Sequence, residues 1–278
     1  MRLIEARFGY EKGSLISTFP ASWFDEVLVR LQASNSASQI DKLTDLLRQI
    51  QVKALHKYGR DYLMDPWLNA ANASHATQPF HRILESSKPA PPIHLENLYE
   101  LKDEDFDLIT HCKRTAEEMS KVAAELLKDA EKITLVDPFA TPDKIEYEKT
   151  LLKMANITTK PHVEFIIFSE EEKQQSNFEL RKNKLSSIQE KFSKNIKLTW
   201  CFLDDGRTGY IHKRVLFTSK GGINFDRGFS EPRDIDQKNS PNDLTILTRS
   251  QLEKFSSDFN YAQITEPLKI CHLWQSDD

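Results

Sequence analysis

The stretch Tyr210-Ile211-His212-Lys213-Arg214-Val215-Leu216-Phe217-Thr218-Ser219-Lys220-Gly221-Gly222-Ile223-Asn224-Phe225-Asp226-Arg227-Gly228-Phe229 gathers the residue types that handle phosphate. An imidazole can attack phosphorus or move a proton, while a neighbouring guanidinium neutralises nonbridging oxygens. On a strand, residues two apart share a face, so the spacing sets His212 beside Arg214 and turns Lys213 the other way. Lys220 adds a cation, Gly222 lets the chain reverse behind the pair, and Asn224 can supply an amide donor. Five of the eight glycines fall between Gly206 and Gly228, which marks this segment as the place of tightest turns and closest approach. The plainer reading is a satisfied polar histidine on a strand, with Arg214 paired to a carboxylate.

These residues need a scaffold, and the chain supplies one. Ile133-Thr134-Leu135-Val136 reads as a buried strand that ends at Asp137-Pro138-Phe139. Thr141-Pro142 then opens a helix to about Ala155, with threonine as N-cap. Val163 to Phe168 is a second buried strand, Ser176 to Glu179 has the form of a capping box, and Ile196 to Leu203 is a third strand. The turn Asp204 to Gly209 predicts that a strand from Tyr210 to Phe217 returns antiparallel to the third. A helix near 249–260 and a strand from Leu268 to Trp274 complete a β-α-β-α-β-β order, which is that of an α/β layer fold.

Residues 1–130 have a different rhythm. Apolar stretches at Leu3-Ile4 and Leu15-Ile16 predict a small hairpin. Trp23, Val27, Leu28 and Leu31, and then Ile40 through Val52, recur at helical spacing. Prolines accumulate between Asp61 and Pro92 in what reads as a connector or irregular lobe. Phe106, Ile109, Ala116, Met119, Ala123 and Leu126 predict one long helix over 103–130. The expected organisation is therefore a mainly helical N-terminal domain over 1–130 and an α/β domain over 131–278.

Other candidate sites weigh less. His111-Cys112-Lys113 has the His-x-Lys form with Glu118 beyond it, but in the predicted helix residues two apart diverge by about 200°. Cys271-His272 with Cys201 and His111-Cys112 could suggest zinc, yet no Cys-x-x-Cys pair or His-x-x-x-His knuckle occurs, so no metal is expected. Trp67, Phe80 and His81 could form a base-stacking platform, though aromatics in such a setting more often fill a core.

With 278 residues, 29% charged and 39% apolar, the composition is that of a soluble globular protein. A net charge of −4 supplies no global field for nucleic acid or anionic membrane, so any phosphate-binding surface must be local. Three scattered cysteines point to a reducing compartment, and the polar first residues with no apolar run near 18 predict a cytoplasmic protein without a membrane span.

The segment resembles the phospholipase D superfamily, whose signature is His-x-Lys, four residues, Asp, then a small-residue turn with Asn. Here it runs His212-x-Arg214, Ser219 at the acidic position, Gly221-Gly222 and Asn224. Together with Asp137-Pro138-Phe139 and Gly228-Phe229 it is most similar to the phospholipase-D-like C-terminal domain of MIT-domain proteins and their bacterial relatives, over residues 131–274. The resemblance implies a phosphodiester-binding protein without a cofactor, with His212 and Arg214 in the catalytic positions and Lys220, Gly222 and Asn224 at the substrate. Asp226, Asp137 and Asp205 are the carboxylates that could stand in for the acid replaced by Ser219. It also implies a nuclease acting through phosphohistidine in a bacterial antiviral defence setting, or else a noncatalytic adaptor that docks the protein partners of a defence complex. Superfamily catalysis uses two histidines around one phosphate, and a single motif per chain implies a homodimer with Gly222 and Asn224 near its axis.

Overall fold

The computed structural model describes residues 9–12, 15–17, 22–34, 36–56, 66–80, 83–85, 95–97 and 110–276. The chain divides into two units, Met1–Leu108 and Ile109–Asp278. The described residues are mixed α/β, with eight helices and one eight-stranded sheet.

In the first unit, β1 (Ile16–Ser17) precedes α1 (Trp23–Ser34) and α2 (Ala37–Ala54), followed by β2 (Leu55–His56), α3 (Trp67–Thr77), β3 (Ile83–Glu85) and β4 (Leu95–Asn97). On α2 the buried residues Leu47, Ile50 and Ala54 keep helical spacing, whereas Val52 falls off that stripe and is exposed. Ile16 pairs in parallel with Leu55 rather than in a local hairpin, and Leu3-Ile4 lies outside the described residues. The proline-containing stretch holds a real helix: Ala70 and Ala71 of α3 pack with Ile83, and Trp67 and Phe80 cover them. These two aromatics are half-buried against that cluster, and His81 lies outside the described residues.

The second unit runs β5 (His111–Lys113), α4 (Ala116–Leu127), β6 (Lys132–Val136), α5 (Ile145–Ala155), β7 (Val163–Glu170), α6 (Phe178–Gln189) and β8 (Ile196–Asp204). It continues with β9 (Val215–Phe217), β10 (Gly222–Phe225), α7 (Ile235–Asn239), β11 (Pro241–Ile246), α8 (Arg249–Asp258) and β12 (Lys269–Gln275). The strand order is β12-β8-β7-β6-β9-β10-β11-β5. The three central strands β6, β7 and β8 are parallel, and every other pairing is antiparallel.

Two β-α-β crossovers lead in the same direction from β6, and their right-handedness puts α5 and α6 on one face of the sheet. The opposite face buries Val136, Ile166, Phe168, Cys201 and Leu203 under Leu252 of α8 and the following Phe259 and Leu268. With both faces covered, β7 and β8 read as nearly unbroken apolar runs.

Three expectations change. Residues 110–114 do not continue a helix: β5 is an edge strand hydrogen-bonded to β11, and α4 starts only after Thr115, whose side chain caps it. Phe106 and Ile109 of the predicted stripe lie outside the described residues, and residues 109–130 belong with the sheet unit. The strand predicted from Tyr210 begins at Val215, because the preceding residues are drawn into a loop. Both carboxylate oxygens of buried Asp205 accept there, one from Arg207 N and one from Ile211 N. This loop also carries β9 away from β8, so β9 pairs with β6 and β10, and the place beside β8 goes to β12.

Candidate functional site

Asp137 follows the last residue of β6 and is completely buried. One of its carboxylate oxygens accepts from Phe139 N at 2.9 Å, and the other from Phe229 N at 3.4 Å. Tyr147 on α5 stands close enough to the same carboxylate to favour its charged form. Arg214 Nε lies 3.9 Å from it. Burial raises the Asp137 pKa to about 6, against the opposing pull of those hydrogen bonds and of Arg214.

Arg214 immediately precedes β9, and because β9 runs antiparallel to β6 its start meets the end where Asp137 stands. Its guanidinium donates to the Asp226 carbonyl and lies over the ring of Phe139, 5.2 Å from the centroid. Gly228 packs against this pair at φ +73°, where a Cβ would come within 2.6 Å of Arg214 Cδ and 2.7 Å of Asp137 Oδ2. Buried Asn242, on β11, fixes that turn by accepting from Arg227 N and donating to the Gly228 carbonyl.

Two further arginines share this end of the sheet. Arg114 follows β5, and its Nε is buried with no hydrogen-bond partner among the described residues. Its pKa is lowered, first by burial and then by Arg227, with a smaller contribution from Arg214 and an opposing one from Tyr147. Three separate segments therefore place Arg114, Arg214 and Arg227 within electrostatic range at the carboxyl end of the central strands. In α/β sheets this is the end where ligands bind. A guanidinium stays charged under these conditions and presents donors that match phosphate oxygens in pairs.

The other sequence candidates are distributed around this centre. His212 is exposed in the loop before β9, with Nδ1 2.8 Å from the Gly209 carbonyl. A carbonyl only accepts, so Nδ1 carries the proton, and in the neutral ring the lone pair is left on Nε2. The shared strand face expected for His212 and Arg214 does not exist, since neither residue is in the strand and their side chains have different partners. Asn224, opposite Val215 on β10, is at the Arg214 end of that pairing.

Lys220 and Gly222 lie at the other end of β9 and β10 from Arg214. Lys220 Nζ is 3.5 Å from Asp129, which precedes β6, and Ser219 shares the same hairpin. A Cβ on Gly222 would lie 2.6 Å from Leu247 Cδ1 and 2.8 Å from Phe217 Cβ, so its small size serves packing within the chain. Of the carboxylates considered in place of Ser219, Asp137 contacts Arg214, Asp226 offers Arg214 its backbone carbonyl, and Asp205 orders the loop that carries His212.

Sequence reasoning missed Arg114, Arg227, Tyr147 and Asn242. Arg114 was hidden by the helix prediction, although Thr115 followed by Glu118 is a readable cap. The same correction puts His111 and Lys113 on the exposed positions of β5, where they share a face. No protein-family model matches the chain, and no match is found among curated proteins.

Proposed function

We propose that the unit Ile109–Asp278 is a phosphate-binding module of the phospholipase-D-like type that takes the phosphodiester of a nucleic acid on Arg214, Arg114 and Arg227. The observation that carries this reading is that three guanidiniums share one end of the sheet, Arg214 against the buried Asp137 carboxylate and Arg114 near enough to Arg227 and Arg214 for their charges to lower its pKa. Like charges held together repel unless an anion joins them, and a phosphodiester supplies both the charge and the paired acceptors. The test is fluorescence anisotropy with a labelled oligonucleotide over a range of salt. Arg214→Ala weakens binding and reduces the salt slope by about 1, as expected for loss of one phosphate contact. Unchanged affinity and slope in both Arg214→Ala and Arg114→Ala would reject the reading.

The nuclease version is favoured by the Nδ1 bond of His212, which leaves Nε2 as a nucleophile directed away from the backbone. His212→Ala then abolishes cleavage while Arg214-dependent binding persists, and Arg214→Lys retains part of the activity. Cleavage continues in EDTA, because the phosphohistidine route needs no metal. Metal-dependent cleavage that survives His212→Ala would put the active centre elsewhere. In the noncatalytic version, an adaptor within a defence complex, the same arginines bind without turnover and His212→Ala has no effect on function.

A further inference from the structure

Phe139 is 45% exposed and is the one aromatic among the exposed large hydrophobic residues of the described chain. Leaving such a side chain partly in water forgoes part of the stabilisation its burial would give. Its position is nevertheless fixed: its backbone N–H is bonded to the Asp137 carboxylate, Pro138 precedes it, and Ala140 N closes a turn onto the Asp137 carbonyl. Two cations stand over the ring, Arg214 with Cζ 5.2 Å from the centroid and Lys173 with Nζ 6.0 Å from it. A rigid exposed aromatic beside phosphate-binding cations is the combination that recognises a nucleotide strand, the base lying on the ring and the backbone on the cations.

We propose that Phe139 is the platform on which an unpaired nucleobase stacks, which makes the ligand of the Arg214 site single-stranded nucleic acid. This rests on the phosphate-binding reading above. In a duplex the bases are already stacked on each other, and reaching Phe139 would require one to be extruded at a cost of a few kcal/mol. A lipid phosphate offers no planar group for the ring.

The experiment titrates the full chain with three labelled probes: a 15-residue oligo-dT, the same length of abasic strand, and a duplex containing the oligo-dT. The expected result is that oligo-dT binds about tenfold or more tightly than the abasic strand, the worth of a stacked base. Phe139→Ala and Phe139→Leu remove the preference for oligo-dT over the abasic strand, and Phe139→Trp restores it. Equal affinity for oligo-dT and the abasic strand, unaffected by Phe139→Ala but weakened by Arg214→Ala, would overturn the stacking inference alone. Binding of none of the strands would overturn the phosphate reading with it. A Phe139-dependent association with phosphatidylserine vesicles and none with oligo-dT would also overturn the proposal, in favour of a membrane ligand.

Discussion

Asp137 is the residue on which the site turns, because it is the buried anion beneath Arg214. Its pKa rises from an ordinary 3.8 to about 6 in the folded chain. Between those values the folded state holds more protons than the unfolded state, so this group's contribution lowers stability as pH rises through that window and is constant above it. The full span is worth about 3 kcal/mol. Asp137→Asn removes that dependence, so the difference in unfolding free energy between variant and parent rises in the variant's favour from pH 4 to 6. Parallel urea melts across that range check it, and a constant difference would refute the raised pKa. Gly228→Ala is the complementary test: a left-handed backbone and a Cβ aimed at Arg214 and Asp137 predict a loss of about 1–3 kcal/mol in stability and, separately, displacement of Arg214 from phosphate. A Gly228→Ala protein with unchanged melting and binding would show that this close approach is unimportant.

Capping separates elements that hold the site from elements that only hold the fold. Thr248 caps α8 in a full capping box with Gln251, on the segment that covers the far face of the sheet. Thr115 caps α4 directly after Arg114. Replacing either with alanine should cost about 1 kcal/mol. Thr248→Ala is expected to leave phosphate affinity intact, whereas Thr115→Ala lowers it by loosening the turn that carries Arg114; calorimetric titration of both variants checks the contrast. Caps and buried runs were also the legible part of the sequence. The strands at 133–136, 163–168 and 196–203 fall within the observed elements, because apolar runs between turn residues have few other solutions. The helix start at 178 lies close to the expected one, with Asn177 rather than Ser176 as the cap, whereas the helix expected from Pro142 starts at Ile145 after Lys144 and Thr141 does not cap it. Strands β5, β9 and β10 were illegible in register because three or four residues carry no period, and their pairing is decided by distant partners. The candidate site was legible in Arg214 and Asp137 and illegible in Arg114 and Arg227, which long-range pairing alone brings near.

At the scale of the whole molecule, no helix among the described residues is long and apolar enough to cross a membrane. The chain's net charge of −4 makes the arginine-lined end of the sheet a local feature, and the proposed phosphate binding is expected to weaken with salt. If the unit cleaves through two histidines, His212 must meet a second copy of itself, and sedimentation equilibrium at micromolar concentration should show a dimer. A strict monomer, with no partner chain supplying a histidine, would leave the binding module without turnover. A bulky residue at Gly222 cannot probe that dimer, since it would strike Leu247 and Phe217 of its own chain. The central claim is that one phosphate sits among three arginines above Asp137. Its most direct test is anomalous diffraction from crystals soaked in tungstate, a heavy mimic of phosphate. The account predicts a peak within hydrogen-bonding reach of Arg214, lost in Arg214→Ala. A saturating soak that leaves this end of the sheet without a peak, or one that survives Arg214→Ala undiminished, would contradict it.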